Sequence, residues 1–71
     1  MAQPTRKALI KRREVQARTA LANSTLYRLM QKGEFPQSIQ IGPRSVAWVE
    51  DEVDQWIEER IEAARKEKGA A

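Results

Sequence analysis

Apolar positions change their period along this chain, and each change marks an element. Leu9 and Ile10 form the first apolar pair. Residues 11–19 then put Val15 and Thr19 at i and i+4, which predicts a helix of about two turns that leans on tertiary contacts. From Asn23 to Lys32 the apolar residues Leu26, Leu29 and Met30 fall at i, i+3 and i+4, while Ser24, Tyr27, Arg28 and Gln31 fall on the opposite side. A second helix is predicted, with one core face and one hydrogen-bonding face. Asn23 is suited to its N-cap, and Gly33 stands where a left-handed C-terminal cap is needed. Between the two helices lie only Ala20, Leu21 and Ala22, a helix-turn-helix spacing that forces a steep crossing.

Past Gly33 the period shortens. Pro36 blocks helix continuation, and Ile39 and Ile41 alternate with Ser38 and Gln40 as a strand. Gly42, Pro43 and Arg44 supply a turn, after which Val46 and Trp48 alternate with Ser45, Ala47 and Val49 as a returning strand. A third helix starts near Glu50, where Glu50, Asp51 and Glu52 suit the positive end of a helix dipole. Val53, Trp56, Ile57 and Ile61 form its apolar stripe, continued by Ala64. The predicted fold is mainly α, a winged helix-turn-helix with three helices and a two-stranded β-hairpin wing. Its predicted core is Leu9, Val15, Leu21, Leu26, Leu29, Phe35, Ile41, Trp48, Val53, Trp56 and Ile57. The expected layout is a flexible basic arm at 1–8, a domain at 9–65 and a disordered tail at 66–71.

Composition narrows the function. At 71 residues the chain is large enough for one small domain of marginal stability. Cysteine and histidine are absent, which removes disulfides, the usual thiolate and imidazole metal ligands and the Cys and His roles in catalysis. Neither an enzymatic activity nor a cofactor is expected, and the carboxylates from Glu50 to Glu62 read as a solvated helix face. A small domain without disulfides suits a reducing compartment, so a cytoplasmic location is expected, with no membrane partner because no apolar run approaches a bilayer span. Residues 1–44 carry nine Lys or Arg against Glu14 and Glu34, a net +7, whereas residues 45–71 carry four basic and eight acidic residues, a net −4. A division of that kind suggests one surface facing a polyanion.

Four blocks carry a resemblance: Ser24-Thr25-Leu26-Tyr27-Arg28-Leu29, Gly33-Glu34-Phe35-Pro36, Ile41-Gly42-Pro43-Arg44-Ser45-Val46-Ala47-Trp48 and Glu52-Val53-Asp54-Gln55-Trp56-Ile57. In this order and spacing the chain resembles the AlpA family of prophage regulators, a branch of the MerR-like winged-helix proteins, from about Leu9 to Arg60. The resemblance implies sequence-specific binding of double-stranded DNA, for transcription regulation or as an excisionase directing an integrase. The protein partner would be RNA polymerase in the first role and an integrase in the second, with weak homodimers or tandem copies on DNA compatible with both. Where the family usually has Ser in the turn, this chain has Ala22, so its second helix is expected to start one residue later, at Asn23.

The candidate contacts follow from how a helix enters a major groove. On the second helix Ser24, Thr25, Tyr27, Arg28 and Gln31 would meet DNA, with Arg28 able to grip guanine O6 and N7. Lys11, Arg12 and Arg13, with Lys32, would hold phosphates. Arg44, with Ser45 beside it, would act from the wing. An ordinary solvated surface is the plain alternative for each, and a protein-interaction module, docking through the acidic last helix, is the rival of another class.

Overall fold

The computed structural model describes residues 8–70, with side chains described through residue 66. In chain order its elements are β1 (Leu9–Ile10), α1 (Arg12–Thr19), α2 (Asn23–Gln31), β2 (Ile39–Gly42), β3 (Ser45–Val49) and α3 (Glu50–Ala70). The three helices and the small antiparallel sheet form a helix-turn-helix with a β wing. The turn between α1 and α2 is Ala20-Leu21-Ala22, as its length predicts.

The wing has a third strand that a two-residue pattern could not announce. The sheet order is β1-β3-β2, with Leu9 opposite Val49 and Ile10 opposite Trp48. Ala8, assigned to the arm by sequence, extends this pairing by accepting a 2.8 Å hydrogen bond from the Glu50 amide. The rest of the expected arm, residues 1–7, lies outside the described residues. At the other end α3 is continuous through Ala70, past Arg65.

Five residues form the buried core: Val15 from α1, Leu26 from α2, Phe35, Trp48 from β3 and Val53 from α3. Leu21, Leu29, Trp56 and Ile57 are partly buried against it, with Ile10 and Met30. Two predicted core residues are not there. Leu9 is 49% exposed, because directly opposed side chains share a face and its partner is Val49, so it points away from the Trp48 side of the sheet. Ile41 is 46% exposed and Ile39, in the same phase, 44%, because β2 is an edge strand whose isoleucine face lies away from the core; the register slip between Gln40 and Gly42 also leaves Ile41 without a partner, as the extra residue of a β-bulge. Ala47, on the predicted outer phase, is buried instead, being a small side chain on the central strand beside Ile39. The stripe of α3 also ends earlier than its periodicity suggests. Ile61 is 43% exposed, since a helix of 21 residues spans about 30 Å and outruns so small a core.

Both tryptophans are anchored at their polar ends as well as their rings. The Trp48 indole N–H donates to the Pro36 carbonyl at 3.1 Å, and that of Trp56 to the Glu34 carbonyl at 2.8 Å. The Trp56 ring meets Phe35 edge-on with centroids 4.8 Å apart. Segment 33–38 is thereby fixed from two sides, and Gln37 adds a third tie by donating to the Met30 carbonyl at 2.9 Å.

Candidate nucleic-acid interface

The angle between α1 and α2 is set by local hydrogen bonds and one uncommon backbone conformation. Ala20 takes the left-handed conformation, φ 63°, and its amide donates to the Gln16 carbonyl at 2.7 Å. Gln16 reaches over the turn to donate to the Leu21 carbonyl at 3.2 Å, and the Leu21 amide donates to the Thr19 hydroxyl at 3.3 Å. The turn therefore has little freedom to swing.

At its far end α2 closes with Gly33 at φ 76°. The Gly33 amide donates to the Met30 carbonyl at 3.1 Å and the Glu34 amide to the Leu29 carbonyl at 2.8 Å, the paired bonds of a Schellman motif. Its beginning differs from expectation. Ala22 holds the N-cap position with φ −72° and ψ 158°, no side chain caps the helix, and Asn23 is already its first residue. Helix α2 thus starts at Asn23, but Ala22 and not Asn23 occupies the cap position, and its methyl group cannot cap. Lys11 at the N-cap of α1 likewise offers no side-chain cap. Among the described residues, no N-cap side chain therefore satisfies the first amides of either helix, a setting that favours an anion.

The candidate contacts run from the start of α1 along α2 to its C-cap, and on to the wing. With Leu26 buried beneath, Ser24, Tyr27, Arg28, Gln31 and Lys32 are exposed, and Thr25 is half-buried. Lys11, Arg12 and Arg13 are exposed at the start of α1. Gly42 pairs with Ser45, which leaves Pro43 and Arg44 as the hairpin tip, with Arg44 exposed and Ser45 half-buried. Ile10 lies opposite Trp48, so α1 starts beside the wing, about 13 Å along β3 from Arg44 at ~3.3 Å per residue.

One cation of the basic half takes no part in this surface. Arg18 donates to Glu14 at 2.9 Å, to Glu50 at 2.8 Å and to Asp54 at 3.0 Å. Glu14, then Glu50 and Asp54, raise its pKa above the ordinary arginine value against a smaller opposing effect of desolvation. Arg18 ties α1 to the first turns of α3. The i,i+4 spacing to Glu14 could have shown the local pair, whereas the contacts with Glu50 and Asp54 cross more than thirty residues of sequence and leave no local signal.

Among the described residues no His, Cys, Asp or Glu cluster could hold a metal ion, and no helix is long and apolar enough to cross a membrane. Residues 8–61 match the family described as prophage CP4-57 regulatory protein (AlpA). The chain is also 45% identical over 53 residues to an uncharacterized protein, ORF88, of Enterobacteria phage P4, a match covering 75% of this chain and 59% of that relative.

Proposed function

Since the chain belongs to the AlpA family of prophage regulatory proteins, we propose that it is a sequence-specific, double-stranded DNA-binding regulator of phage or prophage genes that reads its site with α2. The observation that carries this reading is the exposed row Ser24, Tyr27, Arg28 and Gln31, backed by buried Leu26 and held at a fixed angle to a second uncapped helix start bearing Lys11, Arg12 and Arg13. A helix entering the major groove approaches base edges with its first turns. Arg28 would read a guanine, Tyr27 and Gln31 would flank it, and Ser24 would meet a phosphate or a thymine methyl at the helix start. Thr25, half-buried, would act mainly through its backbone.

Arg12 and Arg13, with Lys11 and Lys32, would grip phosphates without regard to sequence. Arg44, with Ser45 bracing the tip, would reach the adjoining minor groove or its backbone. No cofactor enters this mechanism, which is non-covalent throughout and suits a cytoplasmic protein.

Selection of bound sites from random duplexes tests the reading. A common motif is expected, and the spacing of its half-sites reports single, paired or tandem copies. Recovery of no motif would overturn sequence-specific binding. Motif copies lying beside a phage attachment site, not a promoter, would assign the excisionase role and point to an integrase in place of RNA polymerase.

A further inference from the structure

Along α3 an open groove of about 410 Å³, lined by none of the residues assigned to DNA above, lies between Pro36 and the helix. Its apolar floor is Pro36 and half-buried Trp56, and Asp51, Glu52, Gln55 and Glu59 complete its lining. Among the described residues the ion pairs are those of Arg18 with Glu14, Glu50 and Asp54, so Asp51, Glu52 and Glu59 have no cationic partner. Among the described residues Glu59 accepts a neutral hydrogen bond, from Gln55 at 3.1 Å. The Trp56 ring already takes one cation, with the Arg60 guanidinium 5.3 Å from its centroid.

We propose that this groove docks a cationic segment of a second protein, one with arginine or lysine flanking an apolar side chain. The apolar side chain would rest on Pro36 and Trp56 and the flanking cations would meet the carboxylates. Of the chain's own described cations, Arg18 is held by three carboxylates, Arg60 by Trp56, and the α1, α2 and wing cations by DNA in the function proposed above, while Arg65 and Lys66 stand six and seven residues past Glu59 on the same helix. A DNA-bound copy would therefore still present the groove to a neighbour.

The test uses the full chain without DNA and follows the two indole N–H resonances by NMR. The probe is a capped synthetic peptide, Gly-Arg-Leu-Arg-Gly, beside a matched peptide with citrulline for arginine. The Trp56 signal is expected to shift saturably with the arginine peptide, and by more than that of Trp48, whose ring is fully buried and whose indole N–H meets the groove only through the Pro36 carbonyl. The double variant Glu52→Gln, Glu59→Gln is expected to weaken that binding about tenfold. Movement of neither indole or of both alike, equal binding of the citrulline peptide, or full affinity in the double variant would overturn the proposal. So would a Trp56 shift on dilution of the protein alone, which would identify a second copy as the occupant, or a Trp56 shift on removal of residues 2–7, which would identify the chain's own N-terminal segment. Because DNA is absent throughout, these outcomes leave the DNA-binding proposal untouched.

Discussion

Arg28 and Arg18 are both arginines of the basic half, yet their surroundings give them different work. Arg28 is exposed on α2, and Arg18 is held by three carboxylates. Arg28→Ala is expected to lose about 1–3 kcal/mol on the selected site and to relax selectivity at one base pair, while Arg12→Ala or Arg13→Ala weakens all sequences alike. Competition titrations with specific and random duplexes check this, and equal behaviour of the Arg28 and Arg12 variants would refute the division. Arg18→Gln is expected to lower the melting temperature and leave the salt dependence of binding unchanged. The left-handed positions supply a second test. Gly33 has open space where a Cβ would sit, so Gly33→Ala should lose only the backbone preference, about 1 kcal/mol, and Ala20→Gly should gain up to about 1 kcal/mol by relieving its positive φ. Denaturant unfolding measures both. Gly33 was legible as a cap because glycine marks that conformation in sequence; Ala20 was not, because alanine marks nothing.

Among the elements, α2 was the most legible and the wing the least. The i, i+3, i+4 spacing of Leu26, Leu29 and Met30 gave α2 its inner face directly, and only its cap was misplaced. In the wing the alternation of Ile39 and Ile41 marked one face of β2 but not which way it points, and on this edge strand that face is exposed. Strand β1 was too short to show a period and is set by its long-range pairing with β3. Helix α3 starts at Glu50 as its acidic first turn predicts, but periodicity describes a face and not how much protein lies under it, so Ile61 continues the apolar stripe and is still exposed. Trp48 is fully buried in the wing and Trp56 only half-buried on α3. Trp48→Ala is therefore expected to remove about 3–5 kcal/mol, enough to unfold so small a domain, and Trp56→Ala to remove less. Thermal melts should rank them in that order. The reverse ranking would mean that α3, and not β3, carries the core.

At the scale of the molecule, the division of charge read from sequence becomes a division of surfaces, with one correction. Arg18 leaves the basic half electrostatically, since Glu50 and Asp54 come from the acidic half to meet it, and the remaining described cations of that half stand at the start of α1, in the last turn and C-cap of α2 and at the hairpin tip. What the sequence could not reveal is which charges cancel, because that depends on pairs brought together only by folding. The consequence is measurable. Each phosphate neutralised by the protein contributes about −0.9 to the slope of log affinity against log salt. If Lys11, Arg12, Arg13, Lys32 and Arg44 each meet a phosphate, the slope for nonspecific duplex should lie near −4 to −5. Removing one of them should make it shallower by about 1, whereas Arg18→Gln should not move it. Fluorescence anisotropy from low to moderate salt gives the slope directly. A slope near zero would leave the basic surface without a polyanion to meet, and an Arg18 variant that lost a full unit would show that its carboxylate partners release it when DNA arrives.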